Sequence, residues 1–411
     1  MLRQIEITID QGTWPAPPAQ PNFPPAFHQG TQFADIDVQA MLQLLGRLTT
    51  PPSGHGITLA EHWAYVRYFA AMSNHPDLRL TNDFADLDAH QKTILSDDFG
   101  VGIPIYWLKN ALNFQQECAG NYFLETLAAT VGAYQIRTAK RGPNKSPDFV
   151  AQDNNGIWHV VECKGTQSGV SYRETQLGNA DAQKRSILFP PGHSGQKLAC
   201  GLFIRSEGGT AATNLKIIDP PDDENAFEVR EQDLPIAKDI LMRSSLAISL
   251  RLAGFQTAAD AVASPAGPTP SSHPTAGLRE ESRTDFIADR RNRALEELSR
   301  RGAHSVFYHD RKRFYGRELL LDFARPIFLN NRETNAVRIR QGVSADALNR
   351  IVEDQFPDKI EPGRDTPSKI GPMLYRLDRG EEITELSLGT TFFSQVDLSP
   401  KRRRKRPSRS K

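Results

Sequence analysis

Two carboxylates and an amine lie close in sequence at Asp148, Glu162 and Lys164, in the segments Pro147-Asp148-Phe149 and Glu162-Cys163-Lys164. A phosphodiester is anionic and repels hydroxide, so cleaving one needs charge neutralisation together with an activated water. Carboxylates that gather a hard divalent cation, with an ammonium beside them, suit that task. The three groups must first converge, and the residues between them predict how. Residues 157–164 are rich in β-branched and aromatic side chains and read as a strand. Alternation puts Trp158, Val160, Glu162 and Lys164 on one face, with His159, Val161 and Cys163 on the other. Asn154-Asn155-Gly156 is a turn signal, so residues 147–152 become the preceding strand of a hairpin that brings Asp148 beside Glu162. Two neighbouring carboxylates favour the charged form of Lys164, which argues for electrostatic stabilisation over a general-base role. The bland alternative is an ordinary hairpin with a surface Glu–Lys pair, worth little energetically.

The pattern Pro147-Asp148, then Glu162-x-Lys164, resembles the PD-(D/E)xK, or restriction-endonuclease-like, nucleases over roughly residues 116–220. The resemblance implies an α/β fold whose mixed sheet is flanked by helices, and Mg²⁺-dependent hydrolysis of phosphodiester bonds, with Mn²⁺ able to substitute. It implies metal ligation by Asp148, Glu162 and the backbone carbonyl of Cys163. Lys164 would position the attacking water or stabilise the transition state. Glu125, on a helix read at 121–132, resembles the acid that many members carry before the motif strands. Gln176 and Gln183, seven residues apart, share a helix face with Ala180, where some members place a glutamine that contacts substrate or water. The Cys163 side chain faces away from the carboxylates and reads as a small buried apolar residue.

The order expected around the motif is helix (121–132), strand (134–139), two motif strands, helix (174–189) and a buried apolar strand (198–204), then a short strand at 215–218. Before it, residues 1–115 read as a mainly helical N-terminal region without recognisable chemistry. That region has an opening strand, a proline-dense strap at 14–27, helices at 38–48, 59–72 and 103–114, and a polar, acidic stretch at 83–100. The nuclease-like core spans 116–255 and ends on a helix at 235–253. A Pro/Ser/Ala linker is read at 256–283, a separate α+β C-terminal region at 284–400, and a disordered basic tail at 401–411. The C-terminal region opens with an arginine-rich helix at 284–301. Residues 306–315 then interleave aromatics with Arg311-Lys312-Arg313, which suits either phosphates and stacked bases or a half-exposed strand.

The chain has 411 residues and a net charge of +1, but eight of its 50 basic residues sit in the tail. The remainder carries 42 basic against 49 acidic residues, a net of −7, so attraction to polyanions is concentrated at one end. Three widely spaced cysteines, Cys118, Cys163 and Cys200, make neither a zinc set nor a disulfide framework and favour a reducing cytoplasm. Neither a membrane span nor an apolar leader is indicated. The expected partner is nucleic acid, DNA before RNA. An endonuclease of bacterial restriction or antiviral defence is the leading setting, with partner proteins and, for any translocation, a separate ATPase, since no nucleotide-hydrolysis motif is present. A repair or recombination nuclease, or a catalytically silent scaffold, are the alternatives.

Overall fold

Isoleucines at 5, 7 and 9 alternate with polar residues, and the strand they form, β1 (Leu2–Ile9), buries that face inside a sheet. The computed structural model describes residues 2–16, 21–53, 67–131, 146–184, 187–219, 227–263, 276–329, 332–353, 375–379 and 383–398. After β1 come β2 (Gly30–Asp37), α1 (Val38–Leu48), α2 (Ala89–Ala111), β3 (Phe114–Ala119) and α3 (Gly120–Val131). Next are β4 (Phe149–Asp153), β5 (Trp158–Thr166), α4 (Val170–Lys184), β6 (Ile187–Leu188), β7 (Ser194–Phe203), β8 (Asn214–Ile218) and β9 (Phe227–Glu228). Seven strands make one mixed sheet in the order β2-β1-β8-β7-β5-β4-β3, parallel at β1/β8 and β5/β7 and antiparallel elsewhere. Helices cover both faces. Phe99 and Ile103 of α2 share a core with Val161 and Cys163, while Phe123 and Leu127 of α3 pack with Trp158 and Val160 on the other side. The alternation read from residues 157–164 therefore holds.

The remaining elements are α5 (Leu234–Ala253), α6 (Gln256–Ala263), α7 (Ala276–Ser299), β10 (Ser305–His309), β11 (Lys312–Leu329), β12 (Arg332–Ser344), α8 (Ala345–Glu353), β13 (Tyr375–Arg379), β14 (Ile383–Leu388) and β15 (Phe392–Asp397). Their strands form a second, antiparallel sheet in the order β10-β11-β12-β15-β14-β13. This sheet does not stand apart from the body. Gln43 of α1 donates through Nε2 to the Thr384 carbonyl at 2.8 Å. Arg47 donates to Ser249 Oγ and the Ser245 carbonyl on α5, and its guanidinium lies over the Phe392 ring. Arg317 of β11 donates to the carbonyl of Leu252 at the end of α5. The expectation of a separate C-terminal region is thereby corrected: both hydrophobic cores include residues of that sheet.

Three further boundaries move. The division at residue 115 cuts through one sheet, because β1 pairs with β8 from Glu6↔Asn214 to Ile9↔Ile217. An amphipathic strand needs a covered face, and this sheet supplies it. Residues from 89 onward of the polar stretch at 83–100 merge with most of the helix read at 103–114 into the 23-residue α2, capped by Asp88, whose side chain accepts from the Gln91 amide, while Asn82–Ala85 forms a short helical turn of its own. Phe114 then opens β3 instead of closing a helix. The linker read at 256–283 loses both ends to α6 and α7, since Ala258, Ala259, Val262 and Ala263 are buried. The strap at 14–27 is anchored by Trp14 and Phe27, with Phe27 against Trp107 and Trp14 Nε1 donating to Gln196 Oε1 at 2.7 Å. The strand read at 134–139, residues 264–275 of the linker and the tail at 401–411 lie outside the described residues. Among the described residues no helix is long and apolar enough to cross a membrane.

Where α2 turns into β3, Lys109 Nζ donates to Glu117 Oε2 at 2.6 Å, with both side chains almost wholly buried. Burial draws the Lys109 pKa down to about 8 in spite of that carboxylate. Breaking a buried pair on one side costs about 3–5 kcal/mol. Glu117→Ala is expected to lower unfolding stability by that amount, and Lys109→Met/Glu117→Leu by clearly less, in denaturant titration. Equal losses would mean that packing, and not charge, governs this corner.

Candidate active site

Gly120 and Pro147 prepare the approach to the site. A Cβ at Gly120 would fall 2.1 Å from the Pro147 carbonyl oxygen, so only glycine lets the start of α3 lie this close. The Gly120 amide donates to the Asp148 carbonyl at 2.9 Å, which fixes the chain just before β4. The turn expected at 154–156 forms, with Gly156 at φ +79° and Asp153 Oδ1 accepting from the Asn155 and Ile157 amides at 2.8 Å each. β4 and β5 then pair in the register Phe149↔Val161, which brings Asp148 opposite the Glu162–Cys163 step.

There each carboxylate is tied to a backbone amide of the opposite strand segment. The Asp148 amide donates to Glu162 Oε2 at 3.1 Å, and the Cys163 amide donates to Asp148 Oδ2 at 2.7 Å. Lys164 Nζ bonds to the remaining oxygen, Oε1, of Glu162. Glu162 has no exposed side-chain surface, whereas Lys164 is 25% exposed and Asp148 is also partly exposed. Burial, and secondly the charge of Asp148, push Glu162 up to about 8 against the pull of Lys164. Burial also raises Asp148, opposed by the Cys163 amide and Lys164. Burial works against the Lys164 ammonium, but the hydrogen bond and charge of Glu162 outweigh it and hold its pKa above the usual value. A charged Lys164 is therefore the resting form, which suits a fixed positive charge and not a base.

A fourth group arrives from a helix that the sequence left without chemistry. α2 crosses β5 where neither chain has a side chain. A Cβ on Gly165 would sit 1.7 Å from the Ser96 carbonyl oxygen, and one on Gly100 would sit 2.5 Å from the Gly165 nitrogen. Gln167 Nε2 stitches the end of β5 to the same helix through the Lys92 carbonyl and Ser96 Oγ. That contact sets Asp97 within electrostatic reach of Lys164 and Asp148. Burial raises the Asp97 pKa, Lys164 opposes the rise, and Asp148 adds to it. Its neighbour Asp98 is engaged elsewhere, accepting from the Tyr68 hydroxyl. The glycine directly after Lys164, and the pair Gly100 and Gly102, were the available signals for this close crossing.

The other expected residues fare differently. Glu125 is exposed on α3, and among the described residues nothing links it to Asp148 or Glu162. The helix carboxylate that interacts electrostatically with Lys164 and Asp148 is instead Asp97. Gln176 is half-buried on α4, beside Arg173 and Leu177, which cover Gly201 of β7, the strand partner of Lys164. Its Oε1 is buried and has no partner among the described residues. Gln183 lies on the same helix, its side chain outside the described residues. Cys163 contributes its amide to Asp148, while burial pushes its thiol well up, so it remains a neutral core residue.

Among the described residues, no three His, Cys, Asp or Glu side chains converge closely enough to hold a metal ion by themselves. The Asp148–Glu162 pair is nonetheless an all-oxygen donor set. Mg²⁺ is commonly held by one or two carboxylates while keeping several waters, so the pair fits that ion. Burial and, secondly, the charge of Asp148 raise Glu162, and Lys164 offsets that rise only in part. No family model matches the chain, and no curated protein or solved structure matches it.

Proposed function

We propose that the chain is a Mg²⁺-dependent nuclease that hydrolyses phosphodiester bonds, with DNA as the substrate. The observation that carries this reading is the interlocking of Asp148 and Glu162 across the hairpin, Glu162 accepting the Asp148 amide and Asp148 accepting the Cys163 amide, with Lys164 bonded to Glu162 on the same strand face. A hairpin with an incidental surface ion pair has no reason to bury Glu162 completely beside a second carboxylate, given what desolvation costs. The chain order α2, β3, β4, β5, α4, β7, with the α3 insertion between β3 and β4, supports the resemblance to the PD-(D/E)xK nucleases. So does the sheet order β3-β4-β5-β7, antiparallel twice and then parallel.

Asp148 and Glu162 are the side chains that would hold the cation, with the Cys163 carbonyl as a third oxygen. When bound, a hard divalent ion supplies positive charge to a phosphoryl oxygen and acidifies water. The Cys163 amide keeps Asp148 oriented, and the Asp148 amide does the same for Glu162. Lys164 places an ammonium at the solvent side of the pair, where a scissile phosphate arrives, and stabilises the charge that develops on its oxygens. Asp97 adds a further carboxylate within electrostatic reach of Lys164 and Asp148.

Incubation of the purified protein with circular and linear DNA, in Mg²⁺ or in EDTA, tests the proposal. Cleavage only with Mg²⁺ is the expected result, and intact DNA of both forms across protein concentrations rules it out. The two helix acids separate in the same assay. Asp97→Asn is expected to lose roughly tenfold in rate, equivalent to about 1.4 kcal/mol on the barrier. Glu125→Ala is expected to cleave like the parent chain, and a larger loss from Glu125→Ala than from Asp97→Asn would reverse their assignment.

A further inference from the structure

The hairpin of β10 and β11, with the turn before it, carries a basic and aromatic surface that the proposed active site does not use. Pairing of Tyr308 with Arg313 and of Val306 with Tyr315 puts these four side chains on one face. Tyr315 is buried and serves as an anchor. The Arg313 guanidinium carbon lies 4.7 Å from its ring centre, and that of Arg301, from the 3-10 turn Arg301–Ala303, lies 5.3 Å from the same ring. Arg301 Nη1 also donates to Asn349 Oδ1 on α8 at 2.6 Å. Two guanidiniums are thus held in place by one ring without neutralisation. Beside them Tyr308 is 71% exposed. The hairpin turns through Asp310 and Arg311, both at positive φ, which presents Arg311 at the tip next to Lys312. Among the described residues none of Arg301, Arg311, Lys312 and Arg313 forms an ion pair. The carboxylate of Asp310 sits 3.5 Å from His309.

We infer that this face binds the phosphate backbone of nucleic acid through Arg301 and Arg313, with Tyr308 as a stacking platform for a base. Guanidiniums already oriented, and not paired to carboxylates, are suited to bidentate contact with phosphate. An exposed ring next to them suits unpaired bases, which stack on aromatic side chains without regard to sequence. An acidic protein surface would satisfy the cations but gives an exposed tyrosine ring no comparable partner. The inference rests on the preceding reading only in sharing nucleic acid as the partner.

Binding of labelled duplex and single-stranded oligonucleotides to the full chain in EDTA, followed by fluorescence anisotropy over a salt series, tests it. Each phosphate contact contributes about 0.9 to the slope of log affinity against log salt on duplex DNA. Arg301→Gln/Arg313→Gln is therefore expected to lower the slope by about 2 and weaken binding at least about tenfold. Arg301→Lys/Arg313→Lys should keep most of the slope. Tyr308→Ala should lose about tenfold on single strands, less on duplex, with the slope unchanged. Wild-type affinity and slope in the double Gln variant overturn the inference. So does an equal loss in the Lys and Gln variants, which marks damage to packing around Tyr315, and so does an absence of binding by the parent chain. Cleavage in Mg²⁺ is scored separately: a chain that binds through this face without cutting removes the nuclease reading alone, and one that cuts with binding unaltered in the variant removes this face alone.

Discussion

Alanine in place of Asp148, Glu162 or Lys164 is expected to abolish Mg²⁺-dependent cleavage, each by at least ~10²-fold, because each removes a charge aimed at the reacting phosphate. The three losses have different physical origins. Asp148→Ala deletes a carboxylate and leaves the Cys163 amide without its 2.7 Å acceptor. Glu162→Ala deletes the buried acceptor of the Asp148 amide, so the other carboxylate also loses its orientation. Lys164→Ala removes the partly exposed ammonium and leaves two carboxylates with less opposing charge. Because burial already raises both carboxylates, their removal also relieves a desolvation cost, and the folded state is expected to survive. Circular dichroism melts, run beside a plasmid-nicking assay, check both halves of the expectation. Wild-type cleavage by Glu162→Ala would sink the site assignment outright.

The second large effect is expected far more cheaply in atoms. Gly165→Ala adds one methyl group, yet its Cβ would lie 1.7 Å from the Ser96 carbonyl oxygen and 2.9 Å from the Gly100 Cα, both backbone atoms that no rotamer can move. Overpacking of this kind costs about 1–3 kcal/mol, and here relief requires α2 to lift from β5. Asp97 moves with that helix, so cleavage should fall at least as far as in Asp97→Asn while the unfolding midpoint drops. Gly178→Ala is the matched control. Nothing lies within 4 Å of its Cβ, and it sits in the middle of α4. Alanine there is expected to raise stability by up to about 1 kcal/mol with activity unchanged. If Gly165→Ala matches the parent chain in both stability and cleavage, the close crossing of α2 and β5 does not position the site.

The hairpin around Asp148 and Glu162 was legible from residue types alone because its determinants are local. A turn at 154–156, β-branched residues on period two and a proline before the aspartate all act within twenty residues, so pairing, register and face follow without knowledge of the rest. The same reasoning located α1, α5, β7 and β8 to within a few residues. It failed where long-range packing overrode local preference. Pro104 suits the start of a helix, yet it stands inside α2, whose polar first half is held by the backbone crossing at Gly165. Asp97 therefore reads as one acid in a solvated stretch until the fold brings it to Lys164, some 67 residues on. Glu125 had the better sequence credentials and sits in the open, because a helix inserted between β3 and β4 is not the one that crosses the motif strand. The strand β1 and the C-terminal sheet were likewise assigned to other units, since nothing within their own segments records which face will cover them. Local chemistry specified the carboxylates and the lysine. Which fourth charge joins them, and which distant strands close the cores, depended on contacts between segments that share no sequence neighbourhood.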